Sequence, residues 1–300
     1  MSTPQVESVK LDELNCWRIS HGGAELLVAQ QGAQILSYQR EGEQPLIWLN
    51  DQAVFKHGTP VRAGVPVCWP WFGVFARNPE PVQAMLASPA GAGSHGLVRA
   101  MDWQLQAIDS STDDNLRIDF TLPEAEGKLP GWPHKVALKL SIILGDHLSV
   151  SLTTTNLGDD DVALSQALHS YFAVSDVRDV HVEGVAGLKY IETLDDWKVV
   201  EQANELRFAG ETDRIYKGVP AQLTIVDPVW KRRVRLTSSG ANAAVIWNPW
   251  IDRAAQLSDM ADDGWQRMLC IETANVMDDI VVLLPGAEHT LGVTIVSEPL

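Results

Sequence analysis

The stretch Val136-Ala137-Leu138-Lys139-Leu140-Ser141-Ile142-Ile143-Leu144-Gly145-Asp146-His147-Leu148-Ser149-Val150-Ser151-Leu152 decides the fold class. Val136, Leu138, Leu140, Ile142 and Leu144 alternate with their neighbours, and Leu148, Val150 and Leu152 do so again. A period of two lines one face of a strand with apolar side chains. Gly145-Asp146 between the runs predicts a hairpin closed by a two-residue type II′ turn.

The same period recurs on either side. It appears in Met101-Trp103-Leu105, in Leu116-Ile118-Phe120-Leu122 and in Leu291-Val293-Ile295. Turn signals fall between such runs, as in Asn156-Leu157-Gly158-Asp159-Asp160 and Leu284-Pro285-Gly286. No long segment carries a helical stripe. Ala163 to Val174 fits either period and reads as strand in this company. Many strands with few short helices predict an all-β sandwich or barrel. No repeat or low-complexity linker interrupts the chain, so residues 1–300 read as a single domain. One long irregular stretch, Phe75 to Gly96, contains Pro79, Pro81, Pro89, Gly91 and Gly93. Loops of that length in compact domains are often functional.

A net charge of −16 repels nucleic acid and anionic membrane surfaces, so neither is expected as a partner. An anionic small substrate would need local arginines to overcome that field. Cys16, Cys68 and Cys270 are scattered and fit neither a disulfide framework nor a zinc site. They read as buried thiols of a cytoplasmic protein. Met1 to Lys10 has no apolar core of a secretory signal, and no run is long enough to span a membrane. The 11 tryptophans suit sugar stacking, yet each taken singly reads as core.

Two motifs are set aside. Gly91-Ala92-Gly93-Ser94-His95-Gly96 has glycine spacing of a dinucleotide site, but a Pro-rich loop precedes it and a strand-like run follows, where a strand and a helix are needed. Asp259-Met260-Ala261-Asp262-Asp263-Gly264 lacks the twelfth-position Glu of a calcium loop and reads as a solvated acidic turn.

Chemistry concentrates elsewhere. His169 follows the apolar Ala167-Leu168, and Glu272 sits inside Cys270-Ile271-Glu272-Thr273-Ala274-Asn275. A carboxylate in apolar company is costly unless paired or functional. A His and a Glu facing one another across a pocket can move two protons, which opening a sugar ring requires. Arg62 and Arg99 border Gly- and Trp-rich segments, and guanidinium forks suit phosphate.

Six segments in order carry a resemblance over nearly the whole chain, from about Gly32 onward. They are Pro60 to Gly73, His95 to Trp103, Leu168 to Phe172, Thr212 to Tyr216, Val245 to Trp250, and Cys270 to Asn275. Together they resemble the signatures of the hexose-6-phosphate mutarotases, or glucose-6-phosphate 1-epimerases. Trp71 departs from the glutamine frequent at that position, which bears on sugar preference if the residue touches substrate. The resemblance implies a large galactose-mutarotase-like β-supersandwich with few short helices. It implies that Glu272 is the general base and His169 the general acid, with Glu272 ionised and His169 charged. It further implies that His95 and Asp213 bind sugar hydroxyls or the ring oxygen, and that Arg62 and Arg99 bind the 6-phosphate. No metal and no cofactor is implied; the partner is a sugar phosphate such as glucose 6-phosphate, and a monomer is expected. Competing readings are a broad aldose mutarotase for free sugars, a non-catalytic carbohydrate-binding module, and a retaining glycosidase using Glu272 with Asp213.

Overall fold

The computed structural model describes residues 4–88, 92–112 and 115–300. Three large sheets account for most of it. A four-stranded sheet runs Gln5–Leu11, Leu14–His21, Ala24–Ala29, Ile35–Arg40 in chain order. A nine-stranded sheet has the spatial order Leu206–Arg207, His181–Glu183, Gln222–Asp227, Arg232–Ser239, Glu288–Pro299, Leu148–Asn156, Val136–Leu144, Asn115–Thr121, Gln104–Thr112. An eight-stranded sheet has the order Lys198–Glu201, Lys189–Glu192, Thr212–Lys217, Ala243–Asn248, Met268–Asn275, Gln166–Leu168, Val67–Cys68, with Tyr171–Ala173 also paired to Met268–Asn275. The α-helices among the described residues are Glu80–Gln83 and Trp250–Ala254, each barely a turn.

The hairpin that opened the sequence reading lies inside the nine-stranded sheet. Leu148–Asn156 alternates buried and half-buried residues without exception, as the periodicity requires. The turn differs from expectation. Leu144 pairs directly with Leu148, so three residues, Gly145 to His147, make the connection. The reason is parity. A two-residue turn would put Leu144 opposite His147 and send Leu148, Val150 and Leu152 to the face opposite Leu140 and Ile142. Three residues keep both apolar sets on one face, where each fully buried aliphatic side chain contributes about 1.5–3 kcal/mol.

One hydrophobic cluster gathers these faces. It takes Ile142, Val150 and Ile295 from the nine-stranded sheet, Tyr216, Ile246 and Ile271 from the eight-stranded sheet, and Ile19, Leu26 and Val28 from the four-stranded one. Ala163 to Val174 is strand, as expected, though broken into Val162–Leu164, Gln166–Leu168 and Tyr171–Ala173. The run after His95 is a correction. Val98–Ala100 forms a 3-10 turn, and the strand begins only at Gln104. Trp103 drives this, being fully buried with its indole N–H donating to the Val98 carbonyl at 3.3 Å. Pro89 and Gly91 of the long loop and its glycine motif lie outside the described residues, as do Met1 to Thr3.

Candidate active site

The outer face of the eight-stranded sheet floors a cavity of about 680 Å³. Its floor follows from strand alternation. Asp213 pairs with Trp247 and Trp247 with Cys270, while Ile215 pairs with Val245 and Val245 with Glu272. Paired residues share a face, so Asp213, Ile215, Val245, Trp247 and Glu272 all line the cavity. Their neighbours Tyr216, Ile246 and Ile271 point the other way, into the core.

His169 reaches the same floor from the end of Gln166–Leu168. Leu168 pairs with Thr273, and the register resumes with Tyr171 opposite Cys270, so His169 stands across from Glu272. Its Nε2 lies 3.3 Å from Glu272 Oε1. The His169 ring stacks on Tyr171, centroids 4.9 Å apart and planes inclined by 14°. Glu272 is 1% exposed, and its Oε2 has no hydrogen-bond partner among the described residues. An unpartnered buried carboxylate oxygen facing a cavity is costly unless it acts on a ligand.

The arginines enter from loops. Arg62 precedes Val67–Cys68, and its Nε donates to Asp259 Oδ1 at 2.9 Å. Asp259 is therefore an anchor for Arg62, which corrects the reading of its segment as a merely solvated turn. Arg99 leaves the Val98–Ala100 turn, and its Nη2 donates to the Ser94 carbonyl at 2.9 Å. Two glycines permit these approaches. Gly64 has φ +69°, and a Cβ there would lie 1.8 Å from the Ile35 carbonyl oxygen. Gly96 has φ +76°, and a Cβ there would lie 1.9 Å from the Trp69 carbonyl oxygen. Gly64 then offers its own carbonyl to the Tyr171 N–H at 2.8 Å, tying the Arg62 loop to the His169 segment.

His95 completes the wall. Its Nδ1 accepts the Gly73 N–H at 3.3 Å, which leaves the ring proton on Nε2. Its ring packs edge-on to His169 at 5.5 Å. Burial, then the Arg99 and Arg62 charges, push the His95 pKa down to about 3. His95 is thus a neutral hydrogen-bond donor rather than a titrating acid.

The shifts on His169 and Glu272 run against the charged pair expected. Burial pushes His169 well below the ordinary imidazole range, and His95, Arg99 and Arg62 push it further. Burial raises Glu272 well above the usual carboxylate range, with the Asp213 charge adding to it. Both shifts work against charge on the pair. Asp213 is also raised, by burial first. The cavity thus brings two arginines and two carboxyl groups around one imidazole pair.

All six residues singled out from sequence, Arg62, His95, Arg99, His169, Asp213 and Glu272, line this one cavity. Trp71 does not; it is buried, with its indole N–H donating to the Gly93 carbonyl at 3.0 Å. The sequence reading gave no role to Tyr171, Trp247, Trp197 or Asp259. Tyr171 and Trp247 lay within segments already singled out, and same-face alternation with Glu272 was the available signal. Among the described residues, no three His, Cys, Asp or Glu side chains gather as metal ligands would. No helix there is long and apolar enough to cross a membrane.

A β-supersandwich with a His–Glu pair on one sheet face defines a mutarotase-type isomerase. Residues 15–295 match the Aldose 1-epimerase family, and the chain belongs to that family. It is 31% identical over 272 residues to a Salmonella typhimurium protein named "Putative glucose-6-phosphate 1-epimerase", covering 90% of this chain and 86% of that one. A crystal structure described as a "putative mutarotase" from Salmonella typhimurium superposes with a TM-score of 0.87 at 29% identity, over 98% of this chain and 94% of that chain. A galactose mutarotase-like protein from Clostridium acetobutylicum shares the fold at 15% identity, with a TM-score of 0.75 over 99% of each chain.

Proposed function

We propose that this epimerase interconverts the α and β anomers of a hexose 6-phosphate, glucose 6-phosphate being the first candidate. The observation that carries this reading is the buried His169–Glu272 contact at 3.3 Å in a cavity that Arg62, Arg99 and Asp213 also line. In a hexopyranose, C5 bears both the ring oxygen and C6, so a 6-phosphate lies on the ring-oxygen side. Arg62 and Arg99 line the same cavity as His169 and Glu272 and can hold that phosphate. A phosphate held by the two arginines brings the ring oxygen toward His169 and the anomeric hydroxyl toward Glu272.

In this reading ionised Glu272 takes the proton from the anomeric hydroxyl while protonated His169 gives one to the ring oxygen. The C1–O5 bond breaks and its electron pair goes to the oxygen, leaving a carbonyl at C1. Rotation about C1–C2 presents the other carbonyl face. Reversed proton transfers then close the ring as the opposite anomer. His95 Nε2–H and the Asp213 carboxylate hold ring substituents. A phosphate dianion also offsets the arginine field that disfavours the charged His169, so the substrate itself arms the acid. Each positioned acid or base contributes about 10²–10⁴-fold.

The cytoplasm as location, a monomer as the working state and one domain over residues 1–300 belong to the same reading. The main core cluster, which runs from Ile19 to Ile295, supports the last. The test is NMR exchange spectroscopy on glucose 6-phosphate with glucose as control. Acceleration confined to, or much stronger for, the phosphate is the expected result. Equal acceleration of glucose would make the protein a broad aldose mutarotase.

A further inference from the structure

Arg77 ends the 3-10 turn Phe75–Arg77, whose backbone is fixed on both sides. Phe75 packs edge-on against Trp71, centroids 5.0 Å apart. Buried Asn78 donates through Nδ2 to the carbonyls of Phe72, Val74 and Phe75 at 2.9, 3.2 and 3.2 Å, and its Oδ1 accepts the Ser165 hydroxyl. The Arg77 side chain is held quite differently. It is exposed and, among the described residues, has no carboxylate partner. Its guanidinium lies over the Trp197 ring, 4.8 Å from the centroid, and both residues line the catalytic cavity.

Trp197 occupies an unusual place. The turn closed by the Lys198 N–H on the Asp195 carbonyl at 3.2 Å has Asp196 at φ 50° and Trp197 at φ 56°. Two consecutive left-handed residues suit Asn-Gly, and a bulky side chain there is sterically disfavoured. Such outliers persist where the surroundings hold them, commonly at ligand sites. Here the indole packs on the apolar floor cluster that contains Ile215 and Val245.

The two residues belong to opposite walls. The Arg77 segment is joined to the histidine wall by the His95 N–H donating to the Gly73 carbonyl at 2.9 Å. The Trp197 hairpin is joined to the carboxylate wall, where Thr193 donates through both N–H and Oγ1 to the Asp213 carbonyl at 3.2 and 2.9 Å. Their contact therefore links these two segments beside the cavity that both line. An exposed cation–π contact is weaker than a bidentate guanidinium–phosphate fork, so a phosphorylated ligand can outcompete the ring.

We propose that Arg77 is a third arm for the substrate phosphate and that Trp197 is its resting place. On binding, the guanidinium exchanges the indole for the phosphate, and the uncovered indole face receives the C–H face of the sugar. This inference rests on the hexose-6-phosphate reading above.

The test pairs kinetics with fluorescence. Arg77→Ala should raise KM for glucose 6-phosphate about tenfold while leaving kcat within about twofold, with Arg77→Lys in between. KM for glucose should move by less than about twofold in the same variants. Titration with inorganic phosphate should change tryptophan emission in the wild type and not in Trp197→Phe or Arg77→Ala. Unchanged KM in Arg77→Ala, or equal changes for both sugars, overturns the third arm while the epimerase reading stands. If the wild type fails to accelerate glucose 6-phosphate but phosphate still alters Trp197 emission through Arg77, the substrate reading falls and the phosphate arm stands.

Discussion

Arg62 and Asp259, 197 residues apart, meet Nε to Oδ1 at 2.9 Å. The carboxylate takes the Nε edge of the guanidinium, and the Tyr171 hydroxyl also approaches that group, so Arg62 is held in place at the cavity. Asp259→Asn keeps the shape and weakens the hold. It should raise KM for glucose 6-phosphate about three- to tenfold, with a smaller effect on glucose. Arg62→Ala should have the larger effect of the two, and equal losses on both sugars would remove Arg62 from phosphate recognition.

Glu272→Gln and His169→Asn should each lower kcat by about 10²–10⁴-fold. The double variant should lose little beyond the worse single one, because the two groups act as a unit. Near-normal turnover in either single variant, with native thermal unfolding, would sink the assignment.

The arginine field on His169 predicts a split in the pH dependence of kcat. The groups facing His169 are His95, Tyr171, Glu272 and the two arginines. A bound phosphate offsets the arginines and holds the imidazole proton more tightly. The alkaline limb for glucose 6-phosphate should therefore lie at higher pH than the limb for glucose. Coincident limbs would show that the phosphate does not act on His169.

His95 predicts an acid-side stability loss. Its folded pKa, about 3, is below the ordinary 6.5, so the unfolded chain binds its proton more readily. The stability concerned is fully present above pH 6.5 and is lost as pH falls toward 3, on the order of a few kcal/mol. Glu272 has the opposite sign. Its folded pKa is raised, so its contribution is full below 4.5 and is lost as pH rises through the raised value. Urea midpoints against pH should fall less steeply on the acid side in His95→Asn than in the wild type.

Gly64→Ala and Gly96→Ala should destabilise by roughly 2–4 kcal/mol or prevent folding. Each combines a left-handed φ with a Cβ inside 2 Å of a backbone oxygen. A melting temperature near that of the wild type for either variant would contradict the close packing at these loops.

The β architecture was legible because alternation is a strong local signal. Parity of the Leu144 and Leu148 faces even contained the correct turn length, which the Gly145-Asp146 pair obscured. His169, Glu272 and the arginines were legible because their flanking residues are distinctive. Asp259 was not, since nothing in a run of acidic turn residues says which one meets an arginine 197 positions earlier. Trp197 was hidden for a related reason. A tryptophan's burial and partners depend on loops from two walls meeting, and no local period encodes that. The opposed pKa shifts of His169 and Glu272 likewise arise from burial among groups distant in sequence.

The pairing of Leu168 with Thr273 and of Tyr171 with Cys270 sets His169 across from Glu272 at a short break between two paired segments. Their closeness follows from the common register of the paired segments on either side. Arg62, Arg77 and Arg99, by contrast, stand on loops and single turns. On the proposed reading, the chemistry and the choice of sugar are thus separable inheritances. Exchanging those loops should, on the same reading, alter phosphate recognition while the strand register keeps His169 opposite Glu272.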